Sequence, residues 1–216
     1  MFRFPIKGRT KIELNSMSKP QMLGELEACP WIFYDTQIFT SASSLSLTFF
    51  QTLQTNKSLG NLPAAAFIPI PNYFELFGLS LDIAIAPSVT AAASAPAGAL
   101  QDMYRILNGD APTTGAELPY ITLDKNGKPY GPYPLKALHS LGGPVGNGWG
   151  TETTATTGQY ANNGVFDGGF PFNGSIVFAP QEPFSWTMTW GGLVTLTASP
   201  VALTLSMIGV YHRKVQ

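Results

Sequence analysis

Gly174–Gly192 reads GSIVFAPQEPFSWTMTWGG. Phe184, Trp186, Met188 and Trp190 are large and apolar at every second position, with Ser185, Thr187 and Thr189 between them. A period of two belongs to a β-strand with one face buried. Pro180 and Pro183 bound a turn just before it, and Gly191-Gly192 ends it. The aromatic row is either the wall of a ligand pocket or the inward row of a sheet. The reading depends on how many similar strands surround it.

Working outward, the same alternation recurs. Phe77, Leu79, Leu81, Ile83 and Ile85 alternate with Gly78, Ser80, Asp82 and Ala84. Leu45, Leu47 and Phe49 alternate inside a Ser/Thr-rich run over 36–55, which predicts one long half-buried strand. Tyr120–Leu123 and Lys128–Tyr130 flank Asp124-Lys125-Asn126-Gly127, a hairpin signal. Val194 and Leu196, then Val201, Leu203, Leu205 and Met207, predict two closing strands. The uncharged run over 193–211 has the length of a membrane anchor, but Gly191, Gly192, Pro200 and the interleaved threonines favour strands. Gln21–Ala28 is expected to form a short helical turn closed by Cys29-Pro30, followed by the apolar patch Trp31–Tyr34. Leu100, Met103, Tyr104 and Leu107 have the spacing of a short amphipathic helix. The run over 86–98 is an Ala/Ser/Pro loop, and 142–174 reads as a long Gly-rich loop. About eight strands, one inserted helix and no βαβ alternation predict an all-β antiparallel sandwich or barrel. In that setting the aromatic row of the opening stretch fills the space between two sheets.

The 216 residues suit one large domain. Only 12% are charged, about half the usual share. A surface this poor in charge is expected to be covered partly by other chains; the alternative is a neutral surface of Ser, Thr, Asn and Gln. The net charge of −1 excludes a general polyanion binder, and specific nucleic-acid recognition is not expected. The single cysteine, Cys29, allows no internal disulfide. Residues 1–20 carry Arg3, Lys7, Arg9, Lys11 and Lys19 against Glu13, and read as an extended basic arm. Its charges suit a neighbouring subunit, an anionic membrane or nucleic acid, and five of them do not choose among these. The charges also rule out a secretory signal, so synthesis in a cytoplasm is expected.

No chemistry-bearing constellation stands out. His139 and His212 are the only histidines; His139 is read as a loop residue and His212 as solvated beside Arg213. With Cys29 they are too scattered for a zinc site. There is no nucleophile elbow. Gly146, Gly148 and Gly150 lack the strand and helix that a phosphate loop needs. Asp124–Gly127 lacks the further carboxylates of a calcium loop. A carboxylate pair of the glycosidase kind, for example Asp82 with Glu182, stays open, because such pairs are remote in sequence. No catalytic residue, cofactor or metal is assigned, and an enzyme is not expected.

The succession Gly174–Phe178, Pro180–Pro183, Phe184–Trp190 and Val201–Val215 resembles the closing strands of jelly-roll coat proteins of icosahedral viruses. The nearest resemblance is to the capsid proteins of tailless, membrane-containing bacterial and archaeal viruses. That resemblance implies a single eight-stranded jelly roll over 21–216, with the helix and the Gly-rich loop inserted. It implies a virion protein that assembles laterally with copies of itself and with other capsid proteins. Arg3, Lys7, Arg9 and Lys11 would make the arm contacts with neighbours or an underlying membrane. The loop around Trp149 and Tyr160 would form an outer or inter-subunit surface. The alternative is a receptor- or glycan-binding jelly roll, with Trp149, Tyr160 and Phe170 stacking on sugar rings from loops. A cupin-like enzyme is the remaining reading, and the shortage of histidine opposes it.

Overall fold

The computed structural model describes residues 26–40, 46–85, 102, 105–107, 118–138, 144–145, 161–162, 170–196 and 200–214. The opening stretch forms two strands that lie in different sheets. Phe170–Phe178 is β8 and Phe184–Thr189 is β9. In β9 the burial alternates as its sequence dictates: Phe184, Trp186 and Met188 are buried, and Ser185, Thr187 and Thr189 are half-buried on the other face. Trp190 is buried just beyond the strand. Gln181 turns the corner at φ 58, its N–H donating to Ile68 O at 2.8 Å.

The other strands are β1 (Leu26–Phe39), β2 (Ser46–Phe49), β3 (Tyr73–Ile85), β4 (Tyr120–Lys125), β5 (Lys128–Pro134), the two-residue β6 (Pro144–Val145) and β7 (Ala161–Asn162), and β10 (Val201–Lys214). They build two four-stranded antiparallel sheets, β1-β10-β3-β8 and β2-β9-β4-β5, while β6 and β7 pair with each other. The pairing is nested. β1 pairs with β10, β2 with β9 and β3 with β8, and β4 and β5 form the innermost hairpin of the two sheets. The fold is an all-β sandwich.

One hydrophobic core lies between the sheets. Trp186 Nε1 of one sheet points at Met207 Sδ of the other, 3.3 Å away. Phe178 of β8 meets Phe184 of β9 with ring centroids 4.5 Å apart. β10 lies between β1 and β3, and its two faces are buried along most of its length. That explains its continuous apolar run without a membrane span. Among the described residues no helix is long and apolar enough to cross a membrane.

The helix predicted between β3 and β4 is present at Asp102 and 105–107, where Ile106 is buried and its carbonyl accepts Trp190 Nε1–H at 2.8 Å. The predicted hairpin is also present. Asn126 and Gly127 take φ 51 and 73, the left-handed pair of a type I′ turn. Asp124 Oδ1 accepts the Gly127 N–H at 3.0 Å.

Several expectations change. The predicted helical turn ending at Cys29-Pro30 fails where it can be seen: Leu26–Pro30 is the start of β1. The long strand over 36–55 divides, its beginning closing β1 and only Ser46–Phe49 forming β2. Val194 and Leu196 are buried but lie outside any strand. The Gly-rich region is not all loop, since it holds β6, β7 and the start of β8. In β3 the register shifts at Phe77, so Phe74 and Leu76 are buried on one side of it and Leu79 and Leu81 on the other, while Phe77 is only half-buried.

Candidate functional site

Of the residues singled out from sequence, Arg3, Lys7, Arg9, Lys11, Trp149, Tyr160 and His139 lie outside the described residues. Phe170 is described, and it is not on a loop. It opens β8 opposite Leu79, half-buried. Its ring lies 5.7 Å from Tyr133 and 5.8 Å from Phe172. Tyr133 also packs on Phe172 at 5.3 Å and Trp186 at 6.3 Å. This aromatic cluster closes the open side of the sandwich between the edge strands β5 and β8.

Glu182 is drawn into the β8–β9 turn. Its carboxylate pairs with Lys125 Nζ at 2.9 Å and accepts the Ala179 N–H at 3.1 Å. Asp82 sits in β3 opposite Thr204 of β10, within the β1-β10-β3-β8 sheet. Among the described residues no group of three or more His, Cys, Asp or Glu side chains is placed to hold a metal ion.

His212 corrects the expectation of a solvated histidine, because it is 7% exposed. Its ring lies flat on Tyr73, with centroids 4.1 Å apart and planes 9° apart. Nε2 is 4.0 Å from Glu75 Oε2, and neither Nε2 nor the Tyr73 hydroxyl has a hydrogen-bond partner among the described residues. Burial holds the imidazole below its usual range, against the opposing pull of Glu75. Burial, with Glu75 beside it, pushes the Tyr73 phenol up to about 12. Both groups are therefore neutral near pH 7. This constellation was invisible in the sequence, because β3 and β10 are remote in the chain and become neighbours only by pairing.

A second buried polar centre is Asp35, 2% exposed. It accepts Phe50 N–H at 2.6 Å, Gln37 Nε2–H at 2.8 Å and Gln54 Nε2–H at 3.0 Å. Phe50 is fully buried at φ 65, a conformation that L residues adopt rarely. Asp35 thus ties the exit of β2 to β1. Its geometry is that of a structural pin: the bonds it is seen to accept come from its own strand, through Gln37, and from the segment that follows β2, through Phe50 and Gln54.

Among the described residues, the outer face of the β2-β9-β4-β5 sheet is an open feature. Register sets its outward residues in rows. Thr48, Thr187 and Thr122 form one row; Ser46, Thr189, Tyr120 and Pro134 form another. Ser185, Asp124 and Pro129 form a third. Ser46 is exposed, and Thr48, Thr122, Ser185, Thr187 and Thr189 are half-buried. The outer face of the other sheet differs, for its outward Ser80, Ala202, Ser206, Ile208 and Val210 are all buried. The period of β9 signalled that Ser185, Thr187 and Thr189 share a face. Nothing local signalled their alignment with Thr48 and Thr122.

Compared with protein-family models, with curated proteins and with solved structures, the chain has no match.

Proposed function

We propose that the sandwich is a single jelly roll and that the chain is a structural subunit of an icosahedral viral shell. It meets copies of itself and sister coat proteins along its flanks. The observation that carries this reading is the nesting of β1·β10, β2·β9 and β3·β8 around the β4–β5 hairpin. A long hairpin folded over in this way gives two sheets with the orders seen, which is the arrangement of jelly rolls in coat proteins, lectins and cupins. Among those three, the low charge content favours a subunit surrounded by others. The basic arm with Arg3, Lys7, Arg9 and Lys11 would reach a neighbour or an anionic membrane beneath the shell. Phe170 is engaged in the aromatic cluster, which counts against its stacking on a sugar ring in the glycan-binding alternative.

The test is assembly of the purified full-length chain, followed by light scattering and electron microscopy from about 1 μM to about 1 mM. Shells or regular arrays of jelly-roll subunits are expected. A chain that stays monomeric throughout that range, alone and with liposomes of anionic lipid, would overturn the reading.

A further inference from the structure

We propose that the hydroxyl face of the β2-β9-β4-β5 sheet is a contact between copies of this chain, made face to face about a two-fold axis. The inference rests on the assembly reading above and names the surface it would use.

Three observations converge on that face. The first is its chemistry. Ser46, Thr48, Thr122, Ser185, Thr187 and Thr189 present hydroxyls, Tyr120 adds a phenol, and the only charge in the three rows is Asp124 beside the hairpin turn. Each hydroxyl both donates and accepts, so an identical face can pair with it without a like-charge penalty. β-Branched threonines on central strands also lose little rotamer freedom when covered.

The second is elimination of strand pairing as the route between copies. β1 is an edge strand, but its middle is covered: Thr36 N–H donates to Leu59 O at 2.7 Å and Asn61 N–H to Tyr34 O at 3.2 Å. Asn61 Oδ1 accepts Tyr34 N–H at 2.9 Å, and Asn61 Nδ2–H donates to Ile32 O at 2.8 Å. β5 carries Pro129, Pro132 and Pro134, which have no N–H to offer. β2 is four residues long, and β8 contains Pro171 and breaks register between Pro171 and Ile176. Among the described residues the edges are managed against strand addition.

The third is availability. The outer face of the β1-β10-β3-β8 sheet is already buried along β10, whereas this one is half-open.

Size then fixes the kind of contact. Four strands about 4.8 Å apart and three rows about 7 Å apart give roughly 400 Å². A stable two-body complex buries about 800 Å² on each partner. One such contact is weak and closes at a pair of copies, so it holds when other contacts of the shell act beside it.

The experiment uses full-length protein in the assembly assay described above. Thr187→Lys and, on the neighbouring strand, Thr122→Lys set ammonium groups against each other across the two-fold. Leu193→Lys, at a residue 54% exposed outside this face, is the control. Circular dichroism and melting establish that each variant folds. Both threonine variants are expected to raise the concentration needed for assembly about tenfold or more, with Leu193→Lys near wild type. As a positive readout independent of charge, Thr187→Cys in a Cys29→Ser background should give a covalent dimer with a short bismaleimide, and Leu193→Cys should not. Wild-type assembly with unaffected threonine variants and no Thr187→Cys dimer overturns this contact and leaves the assembly reading standing. Loss of assembly in Leu193→Lys alone moves the contact to the end of the sandwich and also overturns it. A wild-type chain that never assembles overturns both.

Discussion

At the scale of single residues, His212 and Gly209 carry the clearest consequences, and both lie on β10. His212 faces Tyr73 and Glu75 on β3 and lies opposite Ala28 on β1; Arg213 and Lys214 follow it, and Glu27 pairs with Arg213. Burial depresses its pKa below the 6.5 of the unfolded chain. The unfolded chain therefore takes up the proton first on acidification. The stabilisation is fully present above about pH 6.5 and is lost as pH falls through the lower folded value. Melting temperature should fall between about pH 7 and pH 5, and His212→Phe, which keeps a ring on Tyr73, should flatten that slope. Identical slopes in the two proteins would remove His212 from the account. Gly209 is a matter of space. A Cβ there would stand 2.0 Å from the Glu75 carbonyl oxygen and 2.7 Å from the Phe74 ring. The nearest atom is backbone in the adjacent strand, so it has little room to give. Gly209→Ala should cost about 1–3 kcal/mol or more in denaturant unfolding.

At the scale of elements, what was legible in the sequence was what is local. The β4–β5 hairpin follows from Asn126-Gly127, and β9 follows from its own period, because turn chemistry and alternation are written within a few residues. What was misread depended on partners. Cys29-Pro30 reads as a break, yet β1 runs through it. The alternation that turns Tyr34 N and Thr36 N to the outer side turns the Pro30 nitrogen there too, away from β10, so no ladder bond is missed. Phe77 reads in phase with Leu79 and Leu81, but the bulge that separates them is set by the pairing of β3 with β10 and β8. The hydroxyl face was half legible in the same sense, one strand at a time. The long β1 in turn depends on Asp35, which the sequence shows only as one acid in an apolar run. Asp35→Ala would leave the buried Phe50 N–H without its acceptor and should cost about 2–3 kcal/mol. Asp35→Asn keeps one carbonyl oxygen for Phe50 and should cost less. Urea unfolding of the two variants separates the hydrogen bond from simple side-chain volume, and equal losses would sink the pin.

At the scale of the whole molecule, the sandwich separates two ways in which copies can meet. Faces offer side chains and reversible contact; edges offer backbone groups and a template for uncontrolled growth. The segment Leu59–Asn61 keeps these apart on β1, because one side chain, Asn61, satisfies both Tyr34 N–H and Ile32 O. Asn61→Ala removes both bonds and leaves the Asn61 N–H to Tyr34 O bond without its side-chain support. The loss of stability should be modest, about 1–2 kcal/mol, since the freed groups lie near the surface and water can reach them. The larger effect should be on association. A chain that assembles through its faces should do so reversibly, whereas the variant exposes a strand edge and should aggregate irreversibly on mild warming, with a rise in thioflavin fluorescence that wild type lacks. Dilution distinguishes the two processes: face-mediated assemblies dissolve and edge-paired aggregates persist. An Asn61→Ala protein that warms and dilutes as wild type does would mean that the Leu59–Asn61 cover is dispensable. Edge pairing would then return as a competing route between copies.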